Sequence, residues 1–225
     1  MRLLIYGDKN REEIKKLAEK AGFEIVDEDP EIVASCGGDG TLMKAEKEYP
    51  NVPKFILHKS KTAKKGHDIP PEEILEKISR GRYKVEEETK IEGNSKGVKI
   101  IGLNEVIVHN VDPRKAIRYE IYINGRQVGE EIIGDGVVIS TPYGSTGYYR
   151  SITDSFFEVG IGVAFNNSTE QSDHIVLKEN SEIRVKIIRG LAVAYADNSD
   201  EEIKLDDGDE IIIKKSEETA KILKI

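Results

Sequence analysis

The sequence predicts two domains: an N-terminal α/β domain on a parallel sheet over residues 1–82, and a mostly-β C-terminal domain over residues 83–225. Three observations predict this. In the first third, short apolar runs alternate with helical patterns, the rhythm of a parallel sheet with crossover helices. From Tyr83 the pattern changes to period 2, with turn residues between segments. No low-complexity linker or repeat intervenes, so the two domains are expected to pack tightly and share a site between them.

Leu3-Leu4-Ile5-Tyr6 reads as a buried strand ending at Gly7-Asp8. Asn10, with Glu13 three residues later, reads as a helix start, followed by Ile14, Leu17, Ala18 and Ala21 on one face and Gly22 as the stop. Strands follow at Phe23–Val26 and Ile32–Ser35, then a short helix over Thr41–Tyr49 and a fourth strand at Phe55-Ile56-Leu57. Pro70-Pro71-Glu72-Glu73 opens a helix whose apolar positions are Ile74, Leu75 and Ile78, closed by Arg80-Gly81. In the second part the clearest turns are Asn94-Ser95-Lys96-Gly97, Asn124-Gly125 and Asp206-Asp207-Gly208-Asp209. Asn124-Gly125 joins Ile117–Ile123 to Gln127–Ile133 as a hairpin, and further strands read near Ile183–Ile188, Ala192–Ala196 and Glu210–Lys214.

The 225 residues carry 34 Lys+Arg against 42 Asp+Glu, a net charge of -8. That balance argues against a nucleic-acid or anionic-membrane binder, which needs a basic face. One cysteine, Cys36, builds neither a disulfide framework nor a cysteine zinc site, and reads as a small core residue. With no leader pattern and no long apolar run, a cytoplasmic protein is expected. Abundant Lys, Glu and Ile, with no Trp and two Met, match the usage of heat-adapted chains.

The chemistry concentrates in three segments. Gly37-Gly38-Asp39-Gly40, followed by Thr41 and Leu42, lies after a strand and before a helix. There, backbone N–H groups and the helix dipole hold an anion and glycine lets a phosphate approach the main chain. An acid beside a phosphate is repelled unless it binds a cation or takes a proton from an attacking hydroxyl, both roles in phosphoryl transfer. The alternative is a glycine-rich turn with Asp39 as a helix cap. The second segment, Gly134–Tyr148, runs from a turn through an apolar strand into a loop of Ser, Thr and Gly. Such a loop can present several donors and acceptors to a polar ligand while leaving room for a flat ring. The third, Asn104-Glu105 ahead of Val106-Ile107-Val108, puts an amide beside an acid, suited to paired sugar hydroxyls or a carboxamide.

In this order and spacing, Gly37–Leu42, Asn104-Glu105 and Gly134–Tyr148 resemble the signatures of the NAD kinases, of archaeal or thermophilic type. The resemblance extends weakly to Tyr195-Ala196-Asp197-Asn198 and the turn at Gly208-Asp209. It implies an NAD kinase-like fold with a Rossmann-like or flavodoxin-like N-terminal layer. It also implies transfer of a phosphoryl group from ATP, or polyphosphate, to the adenosine-ribose 2′-hydroxyl of NAD, with Mg²⁺ or another divalent cation. Asp39 would be the catalytic aspartate, and Gly37, Gly38, Gly40 and Thr41 would line the phosphate path. Asn104 and Glu105 would hold a ribose, and Asp135 would contact the nucleotide. Thr146, Gly147 and Tyr148 would surround a bound ring, with Ser151 just beyond and Asp197 also in the site. The family further implies a homodimer or homotetramer. NAD and ATP are the expected partners, with no nucleic acid, no membrane and no protein-built metal site.

The chain departs from the family after its fourth strand, where Leu57–His67 replaces a stretch ending in Leu-Gly-Phe. Lys54, Lys59, Lys61, Lys64 and Lys65 form the one basic run of an acidic chain, read either as mobile charges for phosphates or as a solvated loop. Alanine is common at the Gly147 position, and Ser151-Ile152-Thr153-Asp154-Ser155 replaces a double-glycine segment. Tyr119 and Tyr122 fall on opposite faces of one strand, one for packing and one for the surface. His109 ends a strand with no second histidine or cysteine near it in sequence. Two other readings remain: a kinase of another hydroxyl, like the diacylglycerol and sphingosine kinases, and a non-catalytic NADP(H) sensor.

Overall fold

The computed structural model describes residues 1–7, 10–57, 69–169 and 174–225, so the lysines at 59, 61, 64 and 65 lie outside the described residues. The elements are β1 (Arg2–Tyr6), α1 (Arg11–Lys20), β2 (Glu24–Ile25), β3 (Ile32–Ser35), α2 (Asp39–Glu48), β4 (Lys54–Ile56), α3 (Pro71–Ser79), β5 (Lys84–Ser95), β6 (Val98–Gly102), β7 (Glu105–Asn110), β8 (Ile117–Ile123), β9 (Arg126–Gln127), β10 (Ile132–Gly134), β11 (Gly136–Ser140), α4 (Tyr148–Thr153), β12 (Ile161–Asn166), β13 (Ile175–Leu177), β14 (Ile183–Arg189), β15 (Ala192–Ala196), β16 (Glu202–Leu205) and β17 (Glu210–Lys224). They divide into two compact units, Met1–Glu88 with Thr219–Ile225, and Thr89–Glu218. β5 and β17 each run from one unit into the other.

In the first unit β1 pairs in parallel with β2 and β3, β3 with β4, and β4 with the end of β17 at Ile222. Alternate residues of these strands face opposite ways. Leu3, Ile5, Ile32, Ala34, Phe55 and Leu57 pack with Ile14 and Ala18 of α1 and Ile74, Leu75 and Ile78 of α3. Leu4 and Val33 face the other way, onto Ala45 of α2. The apolar stripes read from the sequence are therefore the buried faces. The start of α1 differs from the expected capping box. Asn10 sits at φ 54° and its side chain makes no cap hydrogen bond. The stop is as read, with Gly22 at φ +91° and the Phe23 N–H donating to the Ala18 carbonyl at 3.0 Å.

Lys54 overturns its reading as a mobile charge. Its side chain is fully buried, pairs with Glu46 of α2 at 2.6 Å, and donates to the carbonyls of Tyr49 at 2.5 Å and Val52 at 2.6 Å. Two of its ammonium hydrogens go to these carbonyls, and the Glu46 carboxylate balances the charge.

The second unit packs two sheets face to face. One is antiparallel with order β13-β12-β11-β7-β15-β16. The other includes β10, β8, β14, β17, β5 and β6. Their inner faces supply one core, mostly of β-branched residues, among them Val106, Val108, Val137, Ile139, Val163, Ile121, Val185 and Ile211, with Tyr119 packed between them. The Lys96-Gly97 and Asn124-Gly125 turns have positive φ at both positions, 53° and 76°, then 49° and 78°, as a two-residue hairpin requires. The return strand after Asn124-Gly125 is not continuous, contrary to the reading Gln127–Ile133. It splits into β9 and β10 around Gly129, at φ +71°. Tyr119 is buried and donates its hydroxyl to the Gly136 carbonyl at 2.8 Å. Tyr122 lies partly exposed under the Arg184 guanidinium, 4.1 Å from its ring centre.

Candidate functional site

The glycine turn belongs to the first unit. β3 ends at Ser35, Gly38 caps α2 with no side-chain cap bond, and Asp39 is the first helical residue. Asp39 is therefore not a cap. Its Oδ1 is buried and takes no hydrogen bond among the described residues. Two glycines make room for Thr41. A Cβ on Gly37 would stand 2.1 Å from the Thr41 hydroxyl oxygen, and one on Gly7 would stand 3.0 Å from the Thr41 methyl. The turn thus folds back on Thr41, whose N–H donates to the Gly38 carbonyl at 3.0 Å, at a helix start whose dipole favours an anion.

The remaining predicted residues belong to the second unit. Asn104 and Glu105 sit at the start of β7, both buried. Asp197, at φ 51° after β15, holds this corner. Its carboxylate accepts from the N–H groups of Leu103 at 2.8 Å, Asn104 at 2.8 Å and Glu105 at 3.0 Å. The 141–145 loop is latched to the same corner. Thr141 N–H donates to the Asn104 carbonyl at 2.8 Å, and Thr141 Oγ1–H to the Leu103 carbonyl at 2.7 Å. A Cβ on Gly144 would stand 2.1 Å from the Asn104 carbonyl oxygen, so only glycine fits there.

This geometry corrects the reading of the hydroxyl-rich loop as a ligand-facing array. The hydroxyls of Ser140, Thr141 and Ser145 are buried and bond to backbone carbonyls, Ser145 to those of Pro142 and Phe157 at 2.8 Å each. They shape the loop because buried hydroxyls must find partners, and backbone carbonyls are the nearest. What the loop does present is Gly147, exposed between the half-buried Thr146 and Tyr148. A Cβ at Gly147 would lie 3.9 Å from both the Asn104 amide nitrogen and Glu105 Oε2, which places amide and acid side by side behind it. Ser151 is exposed, and its hydroxyl donates to the Tyr148 carbonyl at 2.7 Å.

Asp135 stands at the other end of β11. Asn110 donates to its Oδ1 and Asn167 to its Oδ2, each at 3.0 Å. The following Gly136 is at φ +144°, where a Cβ would lie 1.9 Å from the Val108 carbonyl oxygen. In the sheet register Gly136 lies between His109 of β7 and Asn166 of β12. With no side chain intervening, Asn166 Nδ2 reaches His109 Nε2 at 3.3 Å and Tyr148 Oη at 3.0 Å. The next row along the same face holds Tyr195, Ile107, Val138 and Ala164. Burial and the charges of Asp135 and Glu105 push the Tyr148 hydroxyl above its usual range, and burial, Tyr148 and Glu105 do the same to Tyr195.

One face of this sheet therefore carries Glu105, with Tyr148 near it and Asn104 and Asp197 behind, while Asp135 stands in the alternate row at the end of β11. The Glu105 face adds His109, Asn166 and Tyr195, and the Asp135 row adds Asn110 and Asn167, none of them singled out as a site residue from the sequence. Their signal was two polar pairs, His109-Asn110 and Asn166-Asn167, each ending an apolar strand. Among the described residues no cluster of three His, Cys, Asp or Glu is placed to hold a metal ion.

The family model of the ATP-NAD kinase C-terminal domain matches residues 103–225, which include this face. The bifunctional NADP phosphatase/NAD kinase of Methanococcus maripaludis is 34% identical over 205 residues, covering 84% of this chain; the chain spans 36% of that protein's length. The NAD kinase of Methanothermobacter thermautotrophicus is 31% identical over 225 residues, covering 95% of this chain and 78% of its own length. Among solved structures, an NAD kinase from Archaeoglobus fulgidus in complex with ATP superposes with a TM-score of 0.82 over 100% of this chain and 94% of that one. At 22% identity this is a likeness of fold. By the family model and by the Methanothermobacter relative, the chain belongs to the NAD kinase family.

Proposed function

We propose that the chain is an NAD kinase that transfers the terminal phosphoryl group of ATP to the 2′-hydroxyl of the adenosine ribose of NAD, yielding NADP and ADP. The observation that carries this reading is Asp39. A buried carboxylate oxygen with no hydrogen-bond partner among the described residues, at the head of a helix, is costly unless a ligand supplies its hydrogen or cation. In the reaction the O2′–phosphorus bond forms as the bond to the ADP oxygen breaks, and Asp39 accepts the hydroxyl proton. Gly37, Gly38, Gly40 and Thr41 line the phosphate path, at a helix N-terminus that favours an anion. For the dinucleotide, Asn104 and Glu105 take ribose hydroxyls, Asp135 holds a further polar group, and Thr146, Gly147 and Tyr148 border a ring, with Ser151 at the rim. Asp197 contributes through the Asn104-Glu105 corner.

A divalent cation suits this donor set. Mg²⁺ is ordinarily held by one or two carboxylates with substrate phosphates and water, and Asp39 Oδ1 is the open oxygen for it. When bound, it neutralises charge on the transferred phosphoryl group. We further infer a cytoplasmic homodimer or homotetramer. The net charge of -8 disfavours nucleic acid and anionic membrane as partners.

The test is a coupled assay of the purified chain with NAD, ATP and Mg²⁺, reading NADP through an NADP-specific dehydrogenase, with Asp39→Asn beside it. The expected result is NADP formation that falls roughly 100-fold or more in the variant, the range for a general base, while NAD binding persists. Undiminished turnover in Asp39→Asn removes the role of Asp39. Dinucleotide binding with no consumption of ATP makes the chain a sensor instead.

A further inference from the structure

Asn166, His109 and Tyr148 form a chain of hydrogen bonds in which, with the imidazole neutral, the amide has one consistent orientation. His109 Nδ1 lies 3.1 Å from the Asn110 carbonyl oxygen, which can only accept, so Nδ1 carries the hydrogen. In the neutral ring Nε2 is then an acceptor, and it faces Asn166 Nδ2, which can only donate, at 3.3 Å. The second hydrogen of that amide goes to Tyr148 Oη at 3.0 Å. With both amide hydrogens committed, Asn166 cannot flip. Its Oδ1 is held as an acceptor that no described residue uses. Tyr148 Oη already accepts from Asn166, so its own hydrogen points elsewhere, and no described residue takes it. The raised Tyr148 hydroxyl keeps that hydrogen at neutral pH. Both groups lie half-buried, Asn166 on the sheet face that carries Glu105.

We propose that Asn166 is a specificity-determining residue whose fixed Oδ1 acceptor, with the Tyr148 hydroxyl donor, reads a planar ligand edge bearing an N–H group and an acceptor, and that His109 is the positioning residue that locks it. This rests on the dinucleotide reading given above. NAD offers that chemistry in two places, the 6-amino edge of the adenine and the carboxamide of the nicotinamide. Locking matters because an amide free to flip presents a donor as readily as an acceptor and discriminates little between matched and mismatched edges.

The experiment measures equilibrium binding of NAD, of nicotinic acid adenine dinucleotide and of nicotinamide hypoxanthine dinucleotide to the whole chain and to Asn166→Asp and His109→Leu. Binding is read independently of turnover, so failure of kinase activity and failure of this proposal are separate results. The whole chain is expected to reject one analogue roughly ten-fold or more, the effect of one mismatched buried hydrogen bond, and which analogue it rejects identifies the edge. Each variant is expected to lose that discrimination. Asn166→Asp is isosteric, so its result stands even where His109→Leu fails to fold. ¹⁵N spectra of His109 in the unliganded chain give a second readout, expected to show the hydrogen on Nδ1. Equal affinity for all three dinucleotides, discrimination unchanged in Asn166→Asp, or a hydrogen on Nε2 would each overturn the proposal.

Discussion

Replacing Lys54 by methionine removes an ammonium that is fully buried between α2 and β4. The substitution takes from the Glu46 carboxylate, whose side chain is 4% exposed, the ammonium that faced it at 2.6 Å. It also strands the carbonyls of Tyr49 and Val52, which accepted at 2.5 and 2.6 Å. Removing one partner of a buried pair costs about 3–5 kcal/mol, because the other charge stays in a poor solvent for it. With an m-value of about 2–3 kcal/mol/M in urea, the unfolding midpoint should fall by about 1–2 M with no change of slope. Circular dichroism against urea measures this directly. The double variant Lys54→Met/Glu46→Leu removes both charges and should recover most of the loss, since an apolar pair of similar volume often equals or betters a buried ion pair. A single-variant shift below about 0.3 M, or a double variant no better than the single, would refute the argument that an uncompensated charge dominates.

Asp197→Ala leaves three backbone N–H groups of the Asn104-Glu105 corner without their acceptor. Hydrogen bonds to a charged group are worth about 1.5–3 kcal/mol each, so KM for NAD should rise by roughly ten-fold or more; an unchanged KM in a folded variant rules out the corner as a dinucleotide contact. Burial pushes the Cys36 thiol from 9.0 up to about 11. Native protein at pH 8 should therefore resist thiol reagents that label it at once in urea. The unfolded chain loses this proton first, so stability should fall as pH climbs from about 9 to about 11, and a Cys36→Ala variant should lack that component.

Much of the fold was legible because its local and global preferences agree. Ile14, Ala18, Ile74, Leu75 and Ile78 mark helix faces by spacing alone, and Asn124-Gly125 fixes a two-residue turn through positive φ. The strands β12, β13 and β16 were not legible. β12 carries glycine at 162 beside apolar residues on both faces, and β13 and β16 have three and four residues. Of the site, the segments that bend the main chain were visible: Gly37–Thr41, Gly144 and Asp135-Gly136. The side chains that meet across strands were not, because His109 and Asn166 are 57 residues apart and meet only through the register on either side of Gly136. The roles of the loop hydroxyls and of Lys54 were misread for one reason. Residue type gives hydrogen-bonding capacity, whereas burial decides who receives it.

The last residues of the chain belong to the first unit, where Ile222 pairs with Lys54 and Leu223 enters the core beneath α1 and α3. A ribosome delivers β1 through β4 early, yet the sheet they start lacks a strand until residues 219–225 emerge. During synthesis the outer edge of β4 must wait, with unpaired backbone groups, while the whole second unit is made and folds. The edge of β4 is thus exposed to mispairing while residues 89–218 are made, and a layer whose strands precede the second unit in the sequence is sealed after it.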